Sequence, residues 1–234
     1  MHFFLKECLC VDGQRAHKRS PLEIVVGTQG IIPLWVKGAV LRYRFNDITL
    51  QQSGRTKEEI LNLFRKAVDM WGDAAPVKFT EDNVVWDFEF DVRKDKFCFD
   101  GGCVLAEAFF PDTGQHKLVI YPSMFDHNEA EQVETLVHEL GHVFGLRHWF
   151  AKDEDGDGWH SEIFGRNGRV TIMNYDNYKS LKANQSSLTD ADKTDLLRLY
   201  VQARSGQLTH INKTPIELFE PFSSRMLTAS APKP

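Results

Sequence analysis

"TLVHELGHVFGLRHWF", residues 135–150, sets three histidines, one glutamate and two glycines into an otherwise apolar run. An α-helix turns by about 100° per residue, so His138 and His142, four apart, stand on one face, one turn from each other. Their imidazoles can share one ion. Glu139 follows the first of them, where its carboxylate reaches a water on that ion. Gly145 ends the helix and permits a sharp turn, which lets His148 swing back as a third ligand. Histidines that merely cap or decorate an amphipathic helix have no need of this order.

Three neutral imidazoles and a water make a tetrahedral site with one open position, the arrangement of catalytic zinc. Structural zinc is usually closed by cysteines, and none lies near this stretch. The order H-E-x-x-H-x-x-G-x-x-H fixes five positions and is highly specific. Its chemistry is hydrolysis, with Glu139 taking a proton from a metal-activated water and returning it to the leaving group.

Outward from the motif, the chain has 234 residues, enough for one sizeable domain with a proper core or for two small ones. Its 42% hydrophobic and 26% charged residues are ordinary for a globular protein. Net charge is −5, with no long basic run, which argues against a nucleic-acid or anionic-membrane partner. No stretch approaches a membrane-spanning length, so no membrane insertion is expected. The start, "MHFFLKECLCVDGQ", lacks the apolar core and cleavage site of a signal peptide.

Helix and strand periodicities place the motif in an α+β setting. "AVLRYRFN" (39–46), "VVWDFEFDVR" (84–93), "CVLAEAFF" (103–110) and "KLVIYPSM" (117–124) read as strands. A helix capped by Thr56 carries Ile60, Leu61, Phe64, Ala67, Val68 and Trp71 at helical spacing. A second runs from Glu129 to Gly145, and a third starts at Thr189 or Asp190. The chain beyond Arg204 shows no clean period and reads as an extended tail or an accessory strand. Cys98 and Cys103 bracket the turn sequence "FDGG", and are either a disulfide or two free thiols.

A methionine completes the pattern. Met173 lies in "VTIMNY", downstream of His148, and this pairing resembles the metzincin metallopeptidases, whose Met-turn floors the zinc site. Within that clan, "LWVKGAVLRYRFND", "AVDMWGDAAPVKFTE", "VLAEAFFP" and "LTDADKTDLLRLY" resemble the matrixin catalytic domain, over about Leu34 to Tyr200. The resemblance implies a twisted, mostly parallel sheet with an antiparallel edge strand and three main helices. It implies zinc on His138, His142 and His148, and an extended protein or peptide substrate along Leu105, Ala106, Glu107 and Ala108. It implies a secreted endopeptidase, expected here as a monomer. The domain division that follows is an N-terminal extension or propeptide at 1–33, a catalytic domain at 34–203, and a tail at 204–234. "HKRS" (17–20) would suit a trypsin-like activating cut.

The chain also departs from the matrixin pattern. Glu107 stands where matrixins carry a histidine ligand of a second zinc, and no matrixin-type cysteine switch is present. Cys8 and Cys10 are read as ordinary thiols or a disulfide rather than a latency device. Tyr175, two residues past the methionine, instead resembles the astacin and serralysin tyrosine. It either stabilises the oxyanion or packs in the pocket wall. Asp153, Asp155 and Asp157 before Gly158 open like a calcium loop, but Phe164 holds the twelfth position, leaving calcium or a solvated acidic turn. Glu134, one turn before His138, matches the position lining the pocket for the side chain after the cut bond. It either selects a basic residue there, pairs with Lys179 or Arg169, or turns to solvent. Two further readings are a toxin or effector peptidase acting on one host protein, and a catalytically silent metal-binding module. The first needs a host target. The second has no use for Glu139.

Overall fold

The structure, a computed structural model, describes residues 8–11, 24–27, 30–99, 102–148, 161–165, 171–173 and 188–230. Its main sheet begins from the alternating strand β4 (Val40–Phe45), which pairs in parallel with both β5 (Lys78–Glu81) and β6 (Phe88–Val92). β6 pairs in parallel with β9 (His116–Ile120), and β9 runs antiparallel to β8 (Gly102–Ala108). Two further antiparallel partners lie on β8. One is the short β7 (Cys98–Phe99), and the other is an N-terminal strand, β1 (Cys8–Val11). The β7–β8 hairpin is closed by a Cys98–Cys103 disulfide.

The helices form where caps and apolar spacing agree. α1 (Asp47–Ser53) is short and lies between Asn46, which caps it, and Gly54, whose φ of 71° ends it. α2 (Lys57–Trp71) starts at Thr56, whose side chain accepts from the N–H of Glu59. It buries Ile60, Leu61, Leu63, Phe64, Ala67 and Trp71. Phe64 meets Tyr43, Phe79, Phe88 and Phe90 edge-on or tilted, so an aromatic cluster fills the space between helix and sheet. α3 (Glu129–Val143) carries a complete capping box between Asn128 and Glu131. The Trp71 indole N–H donates to Val137 O at 3.0 Å and binds α2 to α3. α4 (Asp190–Arg204) opens on a second capping box, Thr189 with Asp192. This is an α+β domain with three main helices of 15 residues each.

The strand expected over 84–93 begins only at Phe88. Asp82 accepts from the N–H groups of Val84 and Val85 at 2.9 and 3.0 Å, which bends that stretch into a turn. The segment after Arg204 folds back as a hairpin, β12 (His210–Ile211) and β13 (Thr214–Phe219), followed by α5 (Phe222–Ser230). β13 pairs in parallel with β3 (Ile32–Trp35). Asp87 accepts from the N–H and hydroxyl of Ser223 at 2.7 and 2.8 Å and moors α5 beside β4.

A third small sheet sits under the end of α3. β10 (Leu146–Arg147) and β11 (Glu162–Phe164) both pair antiparallel with β2 (Ile24–Val26). Among the described residues no helix is long and apolar enough to cross a membrane. Tyr175, Asp153, Asp155, Asp157, Lys179 and Arg169 lie outside the described residues.

Candidate metal centre

The C-terminal half of α3 is buried continuously from Thr135 to Val143, so its two histidines face protein on every side. Their orientation is set by backbone. His138 Nδ1 lies 2.8 Å from Ile172 O, and His142 Nδ1 lies 2.7 Å from Leu146 O. A carbonyl can only accept, so each Nδ1 carries the proton and each Nε2 presents a bare lone pair.

α3 ends at Phe144, and Gly145 turns the chain at φ 91°. A Cβ at Gly145 would stand 2.5 Å from Pro33 O, so both the backbone angle and the space demand glycine. The turn returns the chain along β10 and delivers His148. Its Nε2 lies 3.1 Å from His142 Nε2 and 3.2 Å from His138 Nε2. His148 is 5% exposed and the other two are 4% or less, so the three nitrogens converge in a dry place.

That convergence is what a metal needs. Two of the three nitrogens can only accept, and a single proton on the third satisfies one of them at a time. A tetrahedral ion bonded at about 2.0–2.1 Å holds its ligand nitrogens about 3.3–3.4 Å apart, close to the spacing here. Burial depresses all three proton affinities. It holds His138 down to about 4 and, with the neighbouring imidazoles and Arg147 adding to it, His142 and His148 well below the ordinary value. Neutral imidazoles are the form that ligates, so the donor set fits zinc.

The other predicted residues among those described are placed as follows. Glu139 is fully buried beside His138 on α3. Met173 is 1% exposed and its sulfur packs on Gly141, where any Cβ would collide with it. Glu134 is half-buried one turn before His138. Leu105, Ala106, Glu107 and Ala108 are all buried on β8. Glu107 accepts from the Tyr121 hydroxyl.

Several contributors were not anticipated. Phe110 meets His142 edge-on at 5.5 Å between ring centres. Tyr200 donates to Phe144 O at 3.0 Å, and the Trp35 indole donates to Val143 O at 2.7 Å, so α4 and β3 both hold the end of α3. Arg147, 3% exposed, sits inside the signature between Leu146 and His148. The matrixin resemblance named Trp35 and Tyr200 only as members of similar segments. No spacing in the sequence ties either to the site.

Comparison with known proteins gives consistent neighbours. The matrixin family model matches residues 34–154, just over half of the chain. Stromelysin-3 of Homo sapiens is 31% identical over 106 residues, 41% of this chain and 22% of that protein. Macrophage metalloelastase of Rattus norvegicus is 28% identical over 192 residues, 77% of this chain and 37% of that protein. The chain therefore spans well under half the length of these relatives. Among solved structures, myroilysin aligns at a TM-score of 0.48 with 14% identity, covering 75% of this chain and 98% of that one.

Proposed function

The chain belongs to the matrixin family, and from that premise we propose that it is a secreted zinc endopeptidase that cuts protein or peptide substrates. The observation that carries the reading is the convergence of the three Nε2 atoms, at 3.1 and 3.2 Å, with Glu139 buried beside them. His138, His142 and His148 would hold the ion. A zinc ion bound there supplies Lewis acidity, lowering the pKa of its water and polarising the substrate carbonyl.

The chain's own residues do the rest. Glu139 accepts the proton of the attacking water and hands it to the leaving amine as the peptide bond breaks. Phe110, Met173 and the buried turn of α3 exclude bulk water, which strengthens every charge interaction at the reacting carbon. Tyr175 is proposed to reach the developing oxyanion.

Substrate is proposed to extend along β8, whose backbone offers hydrogen bonds over Leu105 to Ala108. In this structure β1 occupies that side, with Leu9 opposite Glu107 and Cys10 opposite Ala106, and it also lies against α3. Residues 1–33 are therefore proposed to include a propeptide that must leave before substrate binds. Glu134 is proposed to line the pocket for the residue after the cut bond. Cleavage-site profiles that do not differ between wild type and Glu134→Leu would end that role.

The central test is Glu139→Ala. It should retain one zinc per chain by metal analysis and lose about three orders of magnitude or more in turnover of a peptide library. A variant that cleaves near the wild-type rate overturns the mechanism.

A further inference from the structure

We propose that Arg147 is a positioning residue for the metal centre, whose buried guanidinium locks the short strand that sets two of the three ligands. The proposal rests on the reading of His138, His142 and His148 as metal ligands.

Strand β10 is only Leu146 and Arg147, yet both of its ends act at the centre. Leu146 O accepts from His142 Nδ1 at 2.7 Å, and the peptide after Arg147 carries His148. A shift of β10 therefore turns one imidazole and displaces another. His138 alone is held from elsewhere, through Ile172 O.

The ladder alone holds so short a strand weakly. Its ladder partner β2 has three residues, and β2 in turn pairs with the three residues of β11. Strands this short contribute few ladder bonds, although Val26, Leu146 and Phe164 are buried. Arg147 supplies the missing tie. One terminal nitrogen of its guanidinium donates to Gly27 O at 3.2 Å, just past β2, and to Ser161 Oγ at 2.7 Å, just before β11. One side chain thus pins all three strands at the residue preceding His148.

Electrostatics alone argues the other way. The field of a buried guanidinium beside His148 opposes a divalent cation. If charge were what mattered, removing Arg147 would tighten zinc binding. If position matters, removing it loosens binding. The two accounts differ in sign.

The experiment measures zinc affinity of the full chain by competition with a chromophoric chelator, together with the visible spectrum of the cobalt(II)-substituted protein. Arg147→Met should weaken zinc about 10- to 100-fold, the range found when groups supporting metal ligands are removed. Arg147→Lys, which keeps the charge and part of the donor capacity, should fall between Met and wild type. Ser161→Ala, a small change that leaves the charge in place, should weaken zinc about tenfold and shift the cobalt bands. It decides the matter if Arg147→Met does not fold. Zinc affinity in Arg147→Met or Ser161→Ala equal to or tighter than wild type, with unchanged cobalt bands, overturns the positioning role. A wild-type chain that takes up neither metal overturns the ligand reading itself, and this proposal with it.

Discussion

His138, His142 and His148 can be picked out from spacing alone because a helix converts chain separation into direction without any tertiary information. The same logic reaches Glu139 and, through the positive φ it tolerates, Gly145. It does not reach Arg147 or Ser161, because their contact is a tertiary one across 14 residues of chain and leaves no period. Burial gives the histidines a second property. Their folded proton affinities lie below the unfolded value of 6.5, so the unfolded chain binds more protons between pH 6.5 and about 4. That stability is fully present above pH 6.5 and is lost as pH falls toward the folded value. For His138 alone the difference is worth about 3 kcal/mol. The metal-free protein should therefore lose melting temperature steadily from pH 7 to pH 4.5, and His138→Asn should flatten that slope. A slope unchanged by the substitution would show that other groups govern acid unfolding.

Among elements, α2 and α4 were legible because each pairs a cap, Thr56 in one and Thr189 or Asp190 in the other, with apolar residues at helical spacing. α3 was legible because its helical stretch ends at a glycine, whereas its cap Asn128 emerges only in the structure. The N-terminal capping box also keeps α3 anchored at the end remote from the histidines. α5 was not legible. Its sequence is short, and what holds it is Asp87, far earlier in the chain, which also accepts from the Arg42 N–H at 2.6 Å. Burial pushes the Asp87 carboxyl pKa up, and the three donors only partly offset that. Asp87→Ala strands two buried backbone N–H groups and a hydroxyl, and should cost about 2–3 kcal/mol in urea unfolding. Ser223→Ala removes one of the three bonds and should cost about 1 kcal/mol. Equal losses would mean that the α5 mooring, rather than the carboxylate's service to β4, accounts for the whole effect.

Across the whole molecule, the two N-terminal strands have opposite roles. β1 covers the side of β8 proposed for substrate, whereas β2 lies between β10 and β11 and supports His148 from below. The basic stretch at 17–20 falls between them. A cut there would release the cover and leave the support. Limited trypsin treatment of the full chain should raise peptide cleavage at least tenfold, and removal of residues through Val26 should abolish zinc uptake. Full activity before any cut would remove the latency role. The resemblance to matrixins made the main sheet foreseeable, but pattern could not show that β8 has a partner on its outer side, since β1 is four residues of undistinguished composition. The parallel pairing of β3 with β13 has a consequence in time. Ile32 meets Ile216, so one strand waits for another made 184 residues later. Closing so long a loop is slow, and until it closes the strand of Trp35, whose indole donates to Val143 O, lacks its ladder partner. During synthesis the helix that carries His138 and His142 therefore emerges well before its last support, and the candidate centre is completed only after β13 has been made.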